Sequence, residues 1–213
     1  MATGVQFKVC GIMSAEAADF SVRHGASYLG FNFYPKSPRY LSPERFREFA
    51  HRLPVSKRVA VLVEPTPAEL AALQGLGFDF FQIHFRAELP LAQIVAWSKA
   101  VGPERLWLAP KLPPGLDLPA VWLPLARFFM LDTFQPERFG GTGKTGDWAK
   151  FGRHQAAHPA ATWILAGGLS PENIGAALKE SGARFVDVNS GVESAPGLKD
   201  EAKVRAFAAA LRR

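Results

Sequence analysis

Short apolar runs rich in β-branched and aromatic residues alternate along the chain with longer stretches whose apolar positions recur at helical spacing. Runs of the first kind suit strands buried on both faces, and stretches of the second kind suit helices that bury one stripe. The strand candidates are Val5–Cys10, Tyr28–Phe33, Arg58–Val63, Phe78–His84, Leu106–Pro110, Phe128–Asp132, Thr162–Ala166 and Phe185–Val188. Between them, Ser14, Ser42-Pro43, Thr66-Pro67 and Ser170-Pro171 precede helical patterns, and Gly25, Gly75 and Gly182 follow them. A hydroxyl residue at the N-cap with proline at the first helical position starts a helix, and glycine past the end stops one. The fifth unit, "LPPGLDLPAVWLPLA", has room only for a short helix, and in the sixth a long loop, 133–146, precedes any helix. Eight βα pairs with no break in composition predict an α/β fold of one domain spanning residues 1–213, a closed (β/α)8 TIM barrel rather than an open doubly wound sheet.

Composition narrows the class of protein. Of 213 residues, 48% are hydrophobic and 21% charged, as in an ordinary globular chain with a large core. The single cysteine cannot form an internal disulfide, and no cysteine spacing suggests a zinc or iron–sulfur site, which fits a reducing compartment. The N-terminus lacks a basic segment followed by an apolar core, and no apolar stretch is long enough to span a bilayer, so a soluble cytoplasmic protein is expected. The net charge of +6 suits either nucleic acid or a small anion, but the basic residues are scattered, with no basic run interleaved with aromatics. The expected partner is therefore a small anionic molecule, with neither nucleic acid nor membrane.

If the barrel is right, chemistry belongs where strands end and βα loops begin. The residues there are Cys10, Asn32 with "YPKSPR", Glu64, Gln82 with His84, Lys111, Asp132, "AGG" at 166–168 and "NSG" at 189–191. Cys10 is either a compact space-filler or a thiol whose pKa is lowered by the helix starting near Ser14. Asp132 is either a cap or an acid raised by apolar neighbours. Arg39 either clamps a carboxylate or is a solvated loop charge. The loop "GGTGKTG", 140–146, fails as a dinucleotide fingerprint because it does not follow its strand directly, and it fails as a P-loop because Arg138 stands where the first glycine is required. "LAGGLSPENI" and "VDVNSGVE" follow strands seven and eight, where barrels commonly bind phosphate. His154 and His158, at i,i+4 spacing, are read as an exposed helical face rather than metal ligands.

Taken together, "KVCGIM", "LGFNFYPKSPRYLSPE", "FFMLDT", "GGTGKTGDW", "LAGGLSPENI" and "VDVNSGVESAPGLKD" resemble the phosphoribosylanthranilate isomerase family of tryptophan biosynthesis over nearly the whole chain. The resemblance implies an Amadori rearrangement of N-(5-phosphoribosyl)anthranilate to 1-(2-carboxyphenylamino)-1-deoxyribulose 5-phosphate, without cofactor or metal, in a monomer or homodimer. It also implies that Asp132 is the general acid and Cys10 the general base. Arg39 would hold the anthranilate carboxylate, while Gly141, Gly143, Gly168, Ser190 and Gly191 would cradle the phosphate. Phe85 departs from the family's usual glycine after the histidine, Gly146 from a usual aromatic and Met13 from a common threonine. Rival readings are another phosphate-binding barrel, such as an indole-glycerol-phosphate synthase or thiamin-phosphate synthase relative, with Lys111 as the comparable lysine, and a non-catalytic nucleic-acid-binding protein.

Overall fold

The apolar runs become strands that pair in sequence order. A computed structural model describes residues 4–132 and 147–212. In it, β1 (Gln6–Val9), β2 (Tyr28–Asn32), β3 (Lys57–Val63), β4 (Phe80–Arg86), β5 (Leu106–Lys111), β6 (Phe128–Leu131), β7 (Thr162–Leu165) and β8 (Phe185–Val188) lie parallel and close into a barrel, with β8 beside β1. Successive side chains alternate between the barrel interior and the surrounding helices. Phe85, one residue past the expected strand end at His84, lies within a strand and faces the helices. β4 continues to Arg86, and Phe85 is buried against Trp97 and Trp122, with ring centroids 5.6 and 5.2 Å away.

The helices are α1 (Ala15–Arg23), α2 (Pro43–Ala50), α3 (Pro67–Gln74), α4 (Leu91–Val101), α5 (Trp148–Ala157), α6 (Ile174–Ser181) and α7 (Glu201–Ala210). The fifth connection is a short 3-10 turn, Ala120–Leu125, as its proline-rich sequence suggests. Ser14 and Ser42 accept from backbone N–H groups of α1 and α2, and Thr66 with Glu69 forms a reciprocal capping box at α3. Ser170, by contrast, does not cap α6. The Asn173 side chain accepts from the Ser170 N–H and donates to the Gly168 carbonyl, closing a turn that delays the helix to Ile174.

Among the described residues, two apolar cores result. One lies between strands and helices, where Phe31, Phe46, Phe49 and Phe78 interlock. The other fills the barrel's lower interior, where Tyr28, Phe80, Trp107, Phe128 and Phe185 stack and tilt against one another. Each such ring removed from water contributes about 1.5–3 kcal/mol. The helical stripe also overturns the expected exposure of His154, which is buried, stacks on Trp163 at 5.4 Å and lies 3.3 Å from Asp117. Burial holds its pKa below the ordinary histidine value. Among the described residues, no helix is long and apolar enough to cross a membrane.

Candidate active site

At the C-terminal ends of the strands, a cavity of about 490 Å³ gathers residues from across the barrel. Cys10 follows β1, Asn32 ends β2, His84 lies on β4, Asp132 follows β6, and Gly168 and Ser190 come from the loops after β7 and β8. The strand-end residues Cys10, Arg39, Asp132, Gly168 and Ser190 therefore share one wall system, and Gly191 lines the adjoining recess with Arg39, Gly168 and Ser190. Gly141 and Gly143 lie outside the described residues, as does Gly146. Glu64 does not line this cavity. It adopts a positive φ of 43° and its carboxylate accepts from the Arg86 backbone and guanidinium.

The floor beneath Cys10 is charged. Lys8 is wholly buried, and its Nζ donates to the Asp187 carboxylate at 2.8 Å. The two are register partners on adjacent strands. Burial opposes the Lys8 charge, but Asp187 and Cys10 outweigh it and raise the ammonium's pKa. Burial raises the pKa of Asp187, offset only in part by Lys8. For Cys10 the largest influence is likewise burial, which pushes the thiol up, while Lys8 and Lys199 pull it down and Asp187 pushes it further up. The outcome corrects the expectation that a helix N-terminus lowers this thiol. At 5% exposure, loss of water around the sulfur dominates.

Arg39 is neither solvated nor free to clamp with every edge. Its Nε and Nη2 donate to the Glu193 carboxylate at 3.2 and 2.6 Å. A guanidinium carries five N–H donors, so this side-on pairing leaves both Nη1 hydrogens and one on Nη2 for another acceptor. Glu193 also accepts from Lys199 Nζ at 2.7 Å and the Gly197 N–H at 3.2 Å. Burial pushes the Glu193 carboxyl up, but Arg39 and Lys199 outweigh it and hold it below the usual carboxylate value. Glu193 opens a hairpin, β9 (Glu193–Ala195) and β10 (Leu198–Lys199), that follows a 3-10 turn at Ser190–Val192. The network thus ties the loop after β2 to the loop after β8.

The late-strand loops have backbone geometry that larger residues would disturb. Gly167 and Gly168 adopt φ of 94° and 62°, the left-handed region that favours glycine. At Gly191 a Cβ would lie 2.0 Å from the Leu169 carbonyl oxygen and 2.9 Å from the Ser170 Cα. The loops after β7 and β8 therefore touch backbone to backbone, beside the Gly168, Ser190 and Gly191 recess. On β4, Gln82 Nε2 lies 2.7 Å from His84 Nε2, and burial with the nearby Lys8 charge pushes the His84 pKa down to about 3. The imidazole facing the cavity is accordingly neutral.

Comparison with known proteins agrees with this geometry. The family model described as N-(5'phosphoribosyl)anthranilate (PRA) isomerase matches residues 7–210. The chain belongs to that family. Among its relatives, the N-(5'-phosphoribosyl)anthranilate isomerase of Syntrophus aciditrophicus is 37% identical over 98% of this chain and 87% of its own length. The crystal structure of phosphoribosyl anthranilate isomerase from Thermus thermophilus superposes with a TM-score of 0.79 at 31% identity, covering 97% of this chain and 98% of that one. A further phosphoribosyl anthranilate isomerase structure, solved in complex with reduced 1-(o-carboxyphenylamino)-1-deoxyribulose 5-phosphate, gives a TM-score of 0.73 at 31% identity, with coverage of 97% and 98%.

For a member of the PRA isomerase family, the surprises lie beneath and beside the expected residues. Sequence reasoning passed over Lys8, Asp187 and Glu193, although a signal existed for the first two. Lysine in "QFKV" and aspartate in "FVDV" interrupt strands that a barrel buries on both faces, and a buried charge requires a partner.

Proposed function

We propose that this chain isomerises N-(5'-phosphoribosyl)anthranilate to 1-(2-carboxyphenylamino)-1-deoxyribulose 5-phosphate, a step of L-tryptophan biosynthesis carried out in the cytoplasm. Asp132 protonates the furanose ring oxygen, and the C1–O bond breaks to leave a Schiff-base cation. The Cys10 thiolate then takes the C2 proton. The C–H electron pair forms the C1–C2 double bond, and the C=N pair returns to nitrogen. The resulting enolamine tautomerises to the ketone. Because the cation acidifies C2–H, a moderate base suffices.

The observation that carries this reading is the common cavity. Cys10 and Asp132 rise from strands one and six into a space also lined by the glycine loops after strands seven and eight. Substrate phosphate lies in the Gly168, Ser190 and Gly191 recess, near the N–H groups of a sharp turn, where anions are well accommodated. By the family resemblance, Gly141 and Gly143 also contact the phosphate. Arg39 presents its uncommitted edge to the anthranilate carboxylate while Glu193 fixes the guanidinium plane.

The test follows phosphoribosylanthranilate fluorescence as substrate is consumed. Wild type turns over, whereas Cys10→Ser and Asp132→Asn each lose about 10²–10⁴-fold in kcat, the usual share of a positioned acid or base. An inert wild type, or near-normal turnover in both folded variants, rejects the scheme.

A further inference from the structure

Cys10 must ionise inside a barrel that resists ionising it, and the groups that bear on this lie one layer below. Lys8 and Asp187 stand opposite each other on β1 and β8, so the backbone register fixes their 2.8 Å contact. Lys8 and Cys10, two residues apart, share a strand face. Gly30 on β2 leaves the space between them open. A Cβ there would lie 2.9 Å from Lys8 Nζ and 3.1 Å from Cys10 Sγ. The ammonium and the thiol therefore border the same gap.

We propose that Lys8 and Asp187 are positioning residues for the proton transfer at Cys10: the ammonium is the fixed counter-charge of the thiolate, and the carboxylate holds the ammonium while limiting how far it acidifies the thiol. This rests on reading Cys10 as the base. As the C2 proton moves to sulfur, the C–H pair becomes the C1–C2 double bond, and Lys8 keeps its own proton throughout. Among the described residues, the other charged or titratable groups facing this layer are Lys199 from β10, shared with Glu193 and Asn189, and, at the cavity, Tyr34, Lys36 and Arg39 from the loop after β2, Asp132 after β6 and neutral His84 on β4.

Since the chain has one cysteine, thiol chemistry reports Cys10 alone. The experiment measures the rate of Cys10 alkylation by iodoacetamide against pH, read by mass spectrometry, alongside the acid limb of kcat/KM. Removing an adjacent opposite charge shifts a pKa by about one to three units. Lys8→Met should therefore raise the thiol pKa by that amount, and Asp187→Asn should lower it, with the acid limb moving the same way in each. Opposite signs are the signature, because a mere structural strut would not produce them. An unmoved thiol pKa in either variant, or shifts of one sign in both, overturns the proposal. Should Lys8→Met not fold, the neutral pair Lys8→Met/Asp187→Asn is read instead. A raised thiol pKa supports the proposal, and an unchanged or lowered one overturns it. Cys10→Ser separates the two layers of inference. Wild-type turnover in that variant removes the base assignment even if the titrations shift, whereas lost turnover with unmoved titrations in the Lys8 and Asp187 variants removes the positioning role alone.

Discussion

Gly191→Ala places one methyl group where two loops already touch. Its Cβ would fall 2.0 Å from the Leu169 carbonyl oxygen. Ordinary carbon–oxygen approaches are about 3.3–3.6 Å, so one loop must retreat by roughly 1.3 Å or more. All three atoms nearest that Cβ are backbone, so no rotamer change can relieve the clash. Overpacking of this kind costs about 1–3 kcal/mol. If the retreat opens the recess formed with Gly168 and Ser190, the same strain appears as lost phosphate binding. At about 1.4 kcal/mol per tenfold, it amounts to roughly 5- to 150-fold. Substrate KM and the inhibition constant of inorganic phosphate should rise together by such a factor, with a smaller change in kcat because Cys10 and Asp132 directly follow β1 and β6 rather than lying on these loops. The melting temperature should fall as well. Constants within twofold of wild type in a folded variant whose melting temperature is lowered would refute phosphate binding in this recess.

Glu193→Gln replaces an acceptor-only carboxylate with an amide facing Arg39, Lys199 and the Gly197 N–H, leaving buried cations uncompensated. A loss of about 3–5 kcal/mol in urea unfolding is expected, together with a raised KM as Arg39 loses its orientation, and an unchanged KM would detach Arg39 from substrate binding. Acid should destabilise the fold in two stages. His84 has a folded pKa near 3, below the ordinary 6.5, so the unfolded chain takes up a proton first and stability falls as pH drops through that interval. Glu193, also depressed, adds stability that is present above 4.5 and lost as pH falls through its lower folded value. Urea midpoints should therefore decline below pH 6.5, and His84→Gln should flatten the upper part of that decline. A wild-type midpoint constant from pH 6.5 to 5 refutes the His84 contribution.

The barrel was legible because its signals are local. Hydrophobic runs, hydroxyl caps and the position of "LAGG" after a strand each need only a few neighbouring residues, and the strand ends then nominated a set that included Cys10 and Asp132, to which the family resemblance gave their roles. What stayed hidden depends on partners far apart in sequence. Lys8 meets Asp187 across 179 positions, and Arg39 meets Glu193 across 154. No local pattern joins either pair, so Arg39 read equally well as a free clamp. The sign of the Cys10 shift was hidden for another reason. A helix start is visible in sequence, but the depth at which sulfur sits is not, and depth decided the competition. His154 was a missed opportunity rather than a hidden fact, since it sits three residues after buried Phe151 on the inward stripe of α5.

The vertical ordering of the barrel links these pieces. Its floor of Tyr28, Phe80, Trp107, Phe128 and Phe185 leaves little room for water, and its rim carries the loops that face solvent. Lys8 and Asp187 lie between, with the ammonium 6.0 Å from the Trp107 ring centroid. Charges over a dry apolar floor are weakly screened, so one ammonium there acts on a neighbouring thiol far more strongly than it would at the surface. The same dryness raises the cost of ionising sulfur. A base in this position thus needs a fixed cation beneath it, and that cation needs its own carboxylate. The strand order meets both requirements by closing β8 against β1, which turns two charged residues from opposite ends of the chain into register partners under Cys10.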